Sequence, residues 1–178
     1  MSDSGPYVRI FFPQGSAVLH PLSFRIEESP GSLLVTFAGD VDENADFSAL
    51  RPRLRGPVLF DLADVRRINS CGVREWVNFH RELSELADAS SLSLEYLSCS
   101  PAVVAQLNTI SNFRGPARVR SFLVPYVCEG CNGEEIRQVE VASHPPSTAL
   151  PDFPCVRCGA RLVLDDLPDR YLSFLREL

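Results

Sequence analysis

Four of the six cysteines stand in two Cys-x-x-Cys pairs, Cys128/Cys131 and Cys155/Cys158. A tight turn inside each pair lets both thiolates point at one centre. Four thiolates at this spacing favour tetrahedral zinc with no open coordination position. We therefore predict a structural Zn²⁺ site with these four ligands. Two disulfides or a redox-active pair are the rival interpretations, and a cytosolic setting disfavours the disulfides.

The segment around these cysteines needs a metal for a physical reason. Residues 125–178 are rich in proline and too few to build a large core alone, so metal binding would supply the missing folding free energy. His144 lies between the pairs and is a rival ligand, but four cysteines already complete the shell. The stretch from Cys155 to Leu162 resembles the knuckle of a zinc ribbon.

A second cluster of polar residues, Asn69-Ser70-Cys71-Gly72, stands between a predicted strand and a predicted helix. The apolar run from Val58 to Leu62 is typical of a buried strand, and we predict that a turn rich in aspartate and arginine follows it. After Gly72 the helical face is formed by Val73, Trp76, Val77 and His80. A small hydroxyl residue at a helix N-terminus faces the positive end of the helix dipole. Either Ser70 or Asn69 caps the helix, or Ser70 is an exposed interaction point.

These residues resemble the centre of the STAS domain, the fold of bacterial anti-sigma factor antagonists. In that family an apolar strand and a short acidic turn precede Asp-Ser-Ser/Thr-Gly at a helix start. The resemblance runs from Phe24 to Val124, and it is supported by Leu33–Gly39, similar to the family's second strand, and by Asp40-Val-Asp42. It implies that Ser70 corresponds to the serine or threonine that is phosphorylated in many antagonists. Asn69 stands where the family has aspartate.

The resemblance also implies a partner, an anti-sigma factor or serine kinase of the GHKL type. Its docking surface would contain Asp40, Asp42, Asp64, Arg66, Arg67, Asn69, Ser70, Gly72 and Arg74. A phosphate on Ser70 adds about −1.5 to −2 charges. At a helix N-terminus the dipole stabilises that charge by about 0.3–1 kcal/mol. Phosphorylation is therefore expected to repel the partner and to leave the fold intact.

The order of predicted elements defines the fold class. A leading strand over Tyr7–Phe12 and a hairpin of two strands are followed by alternating helices and strands, which predicts an α/β protein with a mixed sheet and helices packed on it. Helices are predicted over residues 44–54 and 72–86, from Pro101 with Ser100 as its N-cap, and over residues 166–175. Strands are predicted over residues 92–97 and 118–124. We predict a STAS-like domain over residues 1–124 and a zinc-ribbon module with a terminal helix over residues 125–178.

Composition limits the functions that fit. The net charge of −6 and a pI near 5.1 argue against nucleic-acid binding, because phosphate backbones are neutralised by clustered basic residues. Asp165, Asp166 and Asp169 argue against it for the ribbon as well. No apolar run approaches the length of a membrane helix and no signal peptide is evident, which predicts a cytoplasmic protein. No catalytic constellation is found, so we predict no enzyme activity.

A different class of function stays open. Some STAS proteins are non-phosphorylated scaffold subunits of signalling assemblies or of lipid transporters, and in them the same surface binds permanently. The sequence does not name the partner or the oligomeric state.

Overall fold

The computed structural model describes residues 8–9, 20–143 and 150–177, with side chains omitted at 8–9, 86–90, 143 and 177. The regular elements of these residues are β1 Val8–Arg9, β2 Ser23–Ser29, β3 Ser32–Val41, β4 Pro57–Ile68, α1 Ser70–Ser90, β5 Ser93–Leu97, α2 Pro101–Thr109, β6 Arg118–Val119, β7 Ser121–Cys128, β8 Glu134–Glu140, β9 Leu162–Leu164 and α3 Pro168–Tyr171. No helix of the described ranges is long and apolar enough to cross a membrane.

A five-stranded mixed sheet with the order β2-β3-β4-β5-β6 positions the Ser70 region. β2 and β3 form the predicted antiparallel hairpin, and its turn uses Gly31 at a φ of +90°. β3 to β6 are parallel. Alternate residues of β3 are buried, as expected for a strand with one core-facing side. The protein is thus mixed α/β, as the sequence predicts.

Helix α1 packs its aromatic face on this sheet. Trp76 is 2% exposed and lies edge-on to Phe37 of β3, with 5.6 Å between the ring centroids. Phe79 stacks on Phe60 of β4. Trp76 also donates its indole N–H to the carbonyl of Phe113 at 3.1 Å, which satisfies its polar atom inside the core. The predicted core role of Trp76 is confirmed.

The turn predicted after Leu62 is wrong, because β4 continues as a strand to Ile68. The pairing of β4 with β3 contains two bulges. β4 has one extra residue between Asp61 and Asp64 and another between Val65 and Arg67. Asp61 stabilises the first bulge by accepting the Ala63 N–H at 3.1 Å. Each bulge changes which face the following side chain points to.

Two further elements differ from expectation. The helix predicted over residues 44–54 is wrong: only Arg51–Arg53 form a single 3₁₀ turn. Aspartate side chains compete there for the backbone, since Asp42 accepts the Asn44 N–H and Asp46 accepts the Ser48 N–H. The strand predicted over residues 118–124 is interrupted at Arg120, where the chain passes from the first sheet to a second one.

The second sheet has the order β1-β8-β7-β9 and carries the cysteine pairs. Of the predicted leading strand Tyr7–Phe12, Val8 and Arg9 pair with β8, and the rest lies outside the described residues. The predicted boundary after residue 124 falls within β7, and the first half of β7 contacts the first sheet through Cys99, which accepts the Leu123 N–H at 2.8 Å.

The C-terminal segment packs against both sheets' elements. It is a short helix, α3, followed by a 3₁₀ turn over Ser173–Glu177, in place of the single helix predicted over residues 166–175. Asn108 of α2 accepts the Phe174 N–H at 2.7 Å, and Tyr171 donates its hydroxyl to the Leu123 carbonyl at 2.6 Å. These buried contacts continue the core from the first sheet into the second.

Candidate functional site

Ser70 is the first residue of α1 and its side chain is exposed. The preceding Asn69 is the N-cap, and its Oδ1 accepts the Gly72 N–H at 2.7 Å. The Asn69 N–H donates to the carbonyl of Val41, at the end of β3, at 3.1 Å. The cap role that the sequence left open between Ser70 and Asn69 thus belongs to Asn69. The hydroxyl of Ser70 stands at a rigid corner between β4 and α1.

Gly72 explains why the corner is so tight. A Cβ at this position would overlap the carbonyl oxygen of Val41 and lie 2.9 Å from the Asp42 backbone nitrogen. The first turn of α1 therefore lies directly on the end of β3, with no room for any side chain. This contact fixes the corner against the sheet.

Sequence reasoning missed Glu43, which belongs to the same corner. Asn69 Nδ2 donates to Glu43 Oε2 at 2.9 Å, and this hydrogen bond lowers the pKa of the Glu43 carboxyl. An aspartate at position 69 would bring two carboxylates together and lose the donor. The asparagine thus keeps the cap and places a carboxylate from another loop beside it. Only the structure could reveal this pair, since the two residues are far apart in sequence.

The remaining predicted docking residues lie around the same end of the β3/β4 pair. Asp40 and Arg67 are register partners in the parallel ladder, and Arg66 and Arg67 are exposed. Asp64 is half-buried and lies opposite Ala38, one bulge further back. Asp42 is engaged with the Asn44 N–H.

Arg74 lies in the first turns of α1 and forms an ion pair with the adjacent Glu75. Its Nε is 3.0 Å from a Glu75 carboxylate oxygen. The predicted residues thus lie along the ends of β3 and β4, in the loop after β3 and in the first turns of α1.

The four predicted metal ligands converge on one point. The Sγ atoms of Cys128, Cys131, Cys155 and Cys158 all lie within 4.8 Å of one another. The Sγ–Sγ distances are 3.4 Å for Cys128 and Cys158 and 3.7 Å for Cys131 and Cys155. Sulfur atoms bound to one tetrahedral zinc are separated by about 3.8 Å, as follows from a Zn–S bond of about 2.3 Å. The cysteines are free thiols and not disulfides, and their arrangement fits one metal ion.

The two knuckles repeat the same backbone geometry. In the first, Gly130 donates its N–H to Cys128 Sγ; in the second, Arg157 donates to Cys155 Sγ, both at 3.4 Å. The residue after each pair has a positive φ, +53° at Asn132 and +75° at Gly159.

Gly130 provides the space that lets the two knuckles approach each other. A Cβ there would lie 2.7 Å from the Ala160 Cβ and 3.3 Å from Cys158 Sγ. The two knuckles therefore pack directly on each other at this glycine.

The hydrogen bonds of the knuckles favour thiolate chemistry at Cys128. Its burial raises the pKa, but the N–H groups of Cys131 and Gly130 and the neighbouring thiols outweigh this and lower the pKa to about 6. Burial raises the pKa of Cys155 to about 12. A metal ion must therefore displace the proton of Cys155 when it binds. His144, the rival ligand, lies outside the described residues.

No protein-family model and no curated protein matches this chain.

Proposed function

We propose that this protein is a STAS-like regulator that binds a protein partner through the Ser70 corner. The observation that carries the proposal is the exposed Ser70 hydroxyl at the N-terminus of α1, held by the Asn69 cap and by the Gly72–Val41 contact. The sequential order of strand, tight corner and helix on a mostly parallel sheet supports the STAS resemblance. A rigid corner of this kind offers a partner a preformed surface.

The partner we propose is an anti-sigma factor or serine kinase of the GHKL type, which phosphorylates Ser70. Ser70 lies at the positive end of α1, and the exposed Arg66 and Arg67 end the preceding strand. Both features stabilise a phosphate on this corner. The phosphate changes the surface that the partner contacts and does not disturb the packing beneath it.

We also propose that the four cysteines bind one structural Zn²⁺. All four ligand positions of a tetrahedral ion are taken by protein thiolates, and so no coordination position is left for a substrate. Cys128 and Cys155 are buried in the hydrophobic core that the second sheet shares with the first. The metal therefore completes the fold of the second sheet and, through that core, supports the first sheet.

We expect Ser70→Glu to weaken binding of the partner at least tenfold, which is about 1.4 kcal/mol. The partner is first identified by capture with the wild-type chain, and its affinity for both forms is then measured. Ser93→Glu is the matched control, because Ser93 is exposed and pairs with Pro57 at the opposite end of β4. Equal affinities for wild type and Ser70→Glu, with unchanged far-UV circular dichroism, would contradict the switch.

The scaffold function differs from the switch in one measurable respect. Asn69 already pairs with the Glu43 carboxylate, which favours a corner that keeps a fixed negative charge without modification. Mass spectrometry of the chain purified from its host distinguishes the two functions: a scaffold carries no phosphate on Ser70 under any growth condition.

Elemental analysis should find about one zinc per chain. Cys131→Ser removes one ligand and is expected to abolish stoichiometric zinc, whereas Cys71→Ser, which lies outside the cluster, should retain it. A fully folded preparation of the wild-type chain without metal would disprove the metal site.

A further inference from the structure

Glu135 and Arg137 form an ion pair inside the second sheet. They are two residues apart on β8 and therefore point to the same face, where Glu135 is 1% and Arg137 5% exposed. Arg137 Nη2 lies 2.7 Å from Glu135 Oε2. Removing two charges from water costs several kcal/mol per ion in protein interiors. A buried pair of this kind needs a physical explanation.

The pair contacts the backbone on both sides of Cys155. Glu135 Oε1 accepts the Val156 N–H at 2.8 Å, and Arg137 Nη2 donates to the Pro154 carbonyl at 3.2 Å. The Arg137 guanidinium also lies over the Phe153 ring, 5.4 Å from its centroid. Two charged side chains thus hold the residues immediately before and after one proposed ligand.

The second knuckle needs such support more than the first. Cys128 ends β7 and Gly133 directly precedes β8, so that regular strand pairing fixes the first knuckle. Residues 150–161 contain no regular strand. Among the described residues, their β-pairing is limited to one isolated bridge between Pro154 and Arg161. Glu135 and Arg137 extend the order of β8 to this irregular segment.

Stability alone does not account for the pair. The Nε of Arg137 is buried and has no hydrogen-bond partner in the part of the chain that the structure describes, which adds a desolvation cost. Replacing buried ion pairs by apolar residues of similar volume is often neutral or stabilising. The contacts that apolar residues could not reproduce are those to Pro154 and Val156 and the hydrogen bond between Glu135 and the Cys155 thiol.

We infer that Glu135 and Arg137 are positioning residues of the four-cysteine site: they hold the second knuckle so that Cys155 and Cys158 meet Cys128 and Cys131 in binding geometry. This inference rests on the proposed metal site. Residues that orient metal ligands in other proteins typically change metal affinity 10- to 100-fold when mutated.

The test is the Zn²⁺ affinity of the full chain, measured by competition with a chromogenic chelator. For Glu135→Leu combined with Arg137→Met we expect an affinity about 10- to 100-fold lower, with far-UV circular dichroism unchanged in excess zinc. Bound Co²⁺ should show altered thiolate charge-transfer absorption. Asp152→Asn is the matched control, because it removes the exposed Asp152–Arg161 ion pair of the same segment and should leave the affinity unchanged.

Each outcome decides the inference. Wild-type affinity in the double variant would overturn it. If the double variant does not fold, Glu135→Gln combined with Arg137→Met decides instead, since it leaves no buried charge unpaired and removes the donor to the Pro154 carbonyl: about tenfold weaker binding supports positioning, and unchanged binding overturns it. A wild-type chain that binds no Zn²⁺ would contradict the proposed metal site itself. Tight Zn²⁺ binding by every variant would instead contradict only the positioning role of Glu135 and Arg137.

Discussion

Gly72→Ala is expected to destabilise the protein by roughly 3 kcal/mol or more. The added Cβ would overlap the Val41 carbonyl oxygen and crowd the Asp42 nitrogen. Both are backbone atoms, which no rotamer change can move aside. Either α1 shifts away from the sheet, which disturbs the packing of Trp76 against Phe37, or the Asn69 cap breaks. Urea unfolding monitored by circular dichroism measures the loss.

The matched control is Ser70→Ala, two residues earlier in the same helical turn. Ser70 is exposed, and Asn69, not Ser70, caps the helix, so that the free energy of unfolding should change by no more than about 0.5 kcal/mol. Equal stabilities of Gly72→Ala and Ser70→Ala would show that α1 does not lie on the end of β3. The same two variants separate the architecture of the corner from the chemistry of its hydroxyl group.

The parts of the fold that were predictable are those specified by local signals. Ser100 and Pro101 predicted the start of α2, where the Ser100 hydroxyl accepts the Val103 N–H. The apolar run from Val58 predicted β4. Its extension to Ile68 was not predictable, because bulges depend on the partner strand and leave no period-two pattern. The passage between sheets at Arg120 likewise depends on contacts with Cys99 and Val141, which are remote in sequence.

The two candidate sites differ in the same way. Cysteine spacing alone identified the four thiols that converge, because each pair is a local turn. The side chains that surround these thiols could not be predicted. Glu135 and Arg137 resemble surface residues, because they stand in a stretch with little apolar periodicity. Glu43 is equally undistinguished in sequence. Its role arises only because the loop after β3 brings it to Asn69. Long-range polar pairs carry no local signature.

The second large effect concerns His80, which is buried between Trp76, Phe60 and Tyr96. Burial lowers the pKa of His80 to about 3. In the unfolded chain the pKa is about 6.5. Between these values the unfolded chain binds a proton that the folded protein does not, so that stability falls as pH falls. From pH 7 to pH 5 this single group should remove about 2 kcal/mol from the free energy of unfolding.

His80→Phe isolates this contribution, because it keeps an aromatic ring in the cluster and removes the titrating group. The Tyr96 hydroxyl, which shares a hydrogen bond with His80 Nε2, loses its partner, and the cost of about 1–3 kcal/mol is the same at both pH values. Other groups that titrate in acid affect both chains equally and cancel in their difference. That difference should shrink by about 2 kcal/mol between pH 7 and pH 5. The exposed His20→Gln is the control, and parallel pH profiles for wild type and His80→Phe would show that His80 is not held neutral in the core.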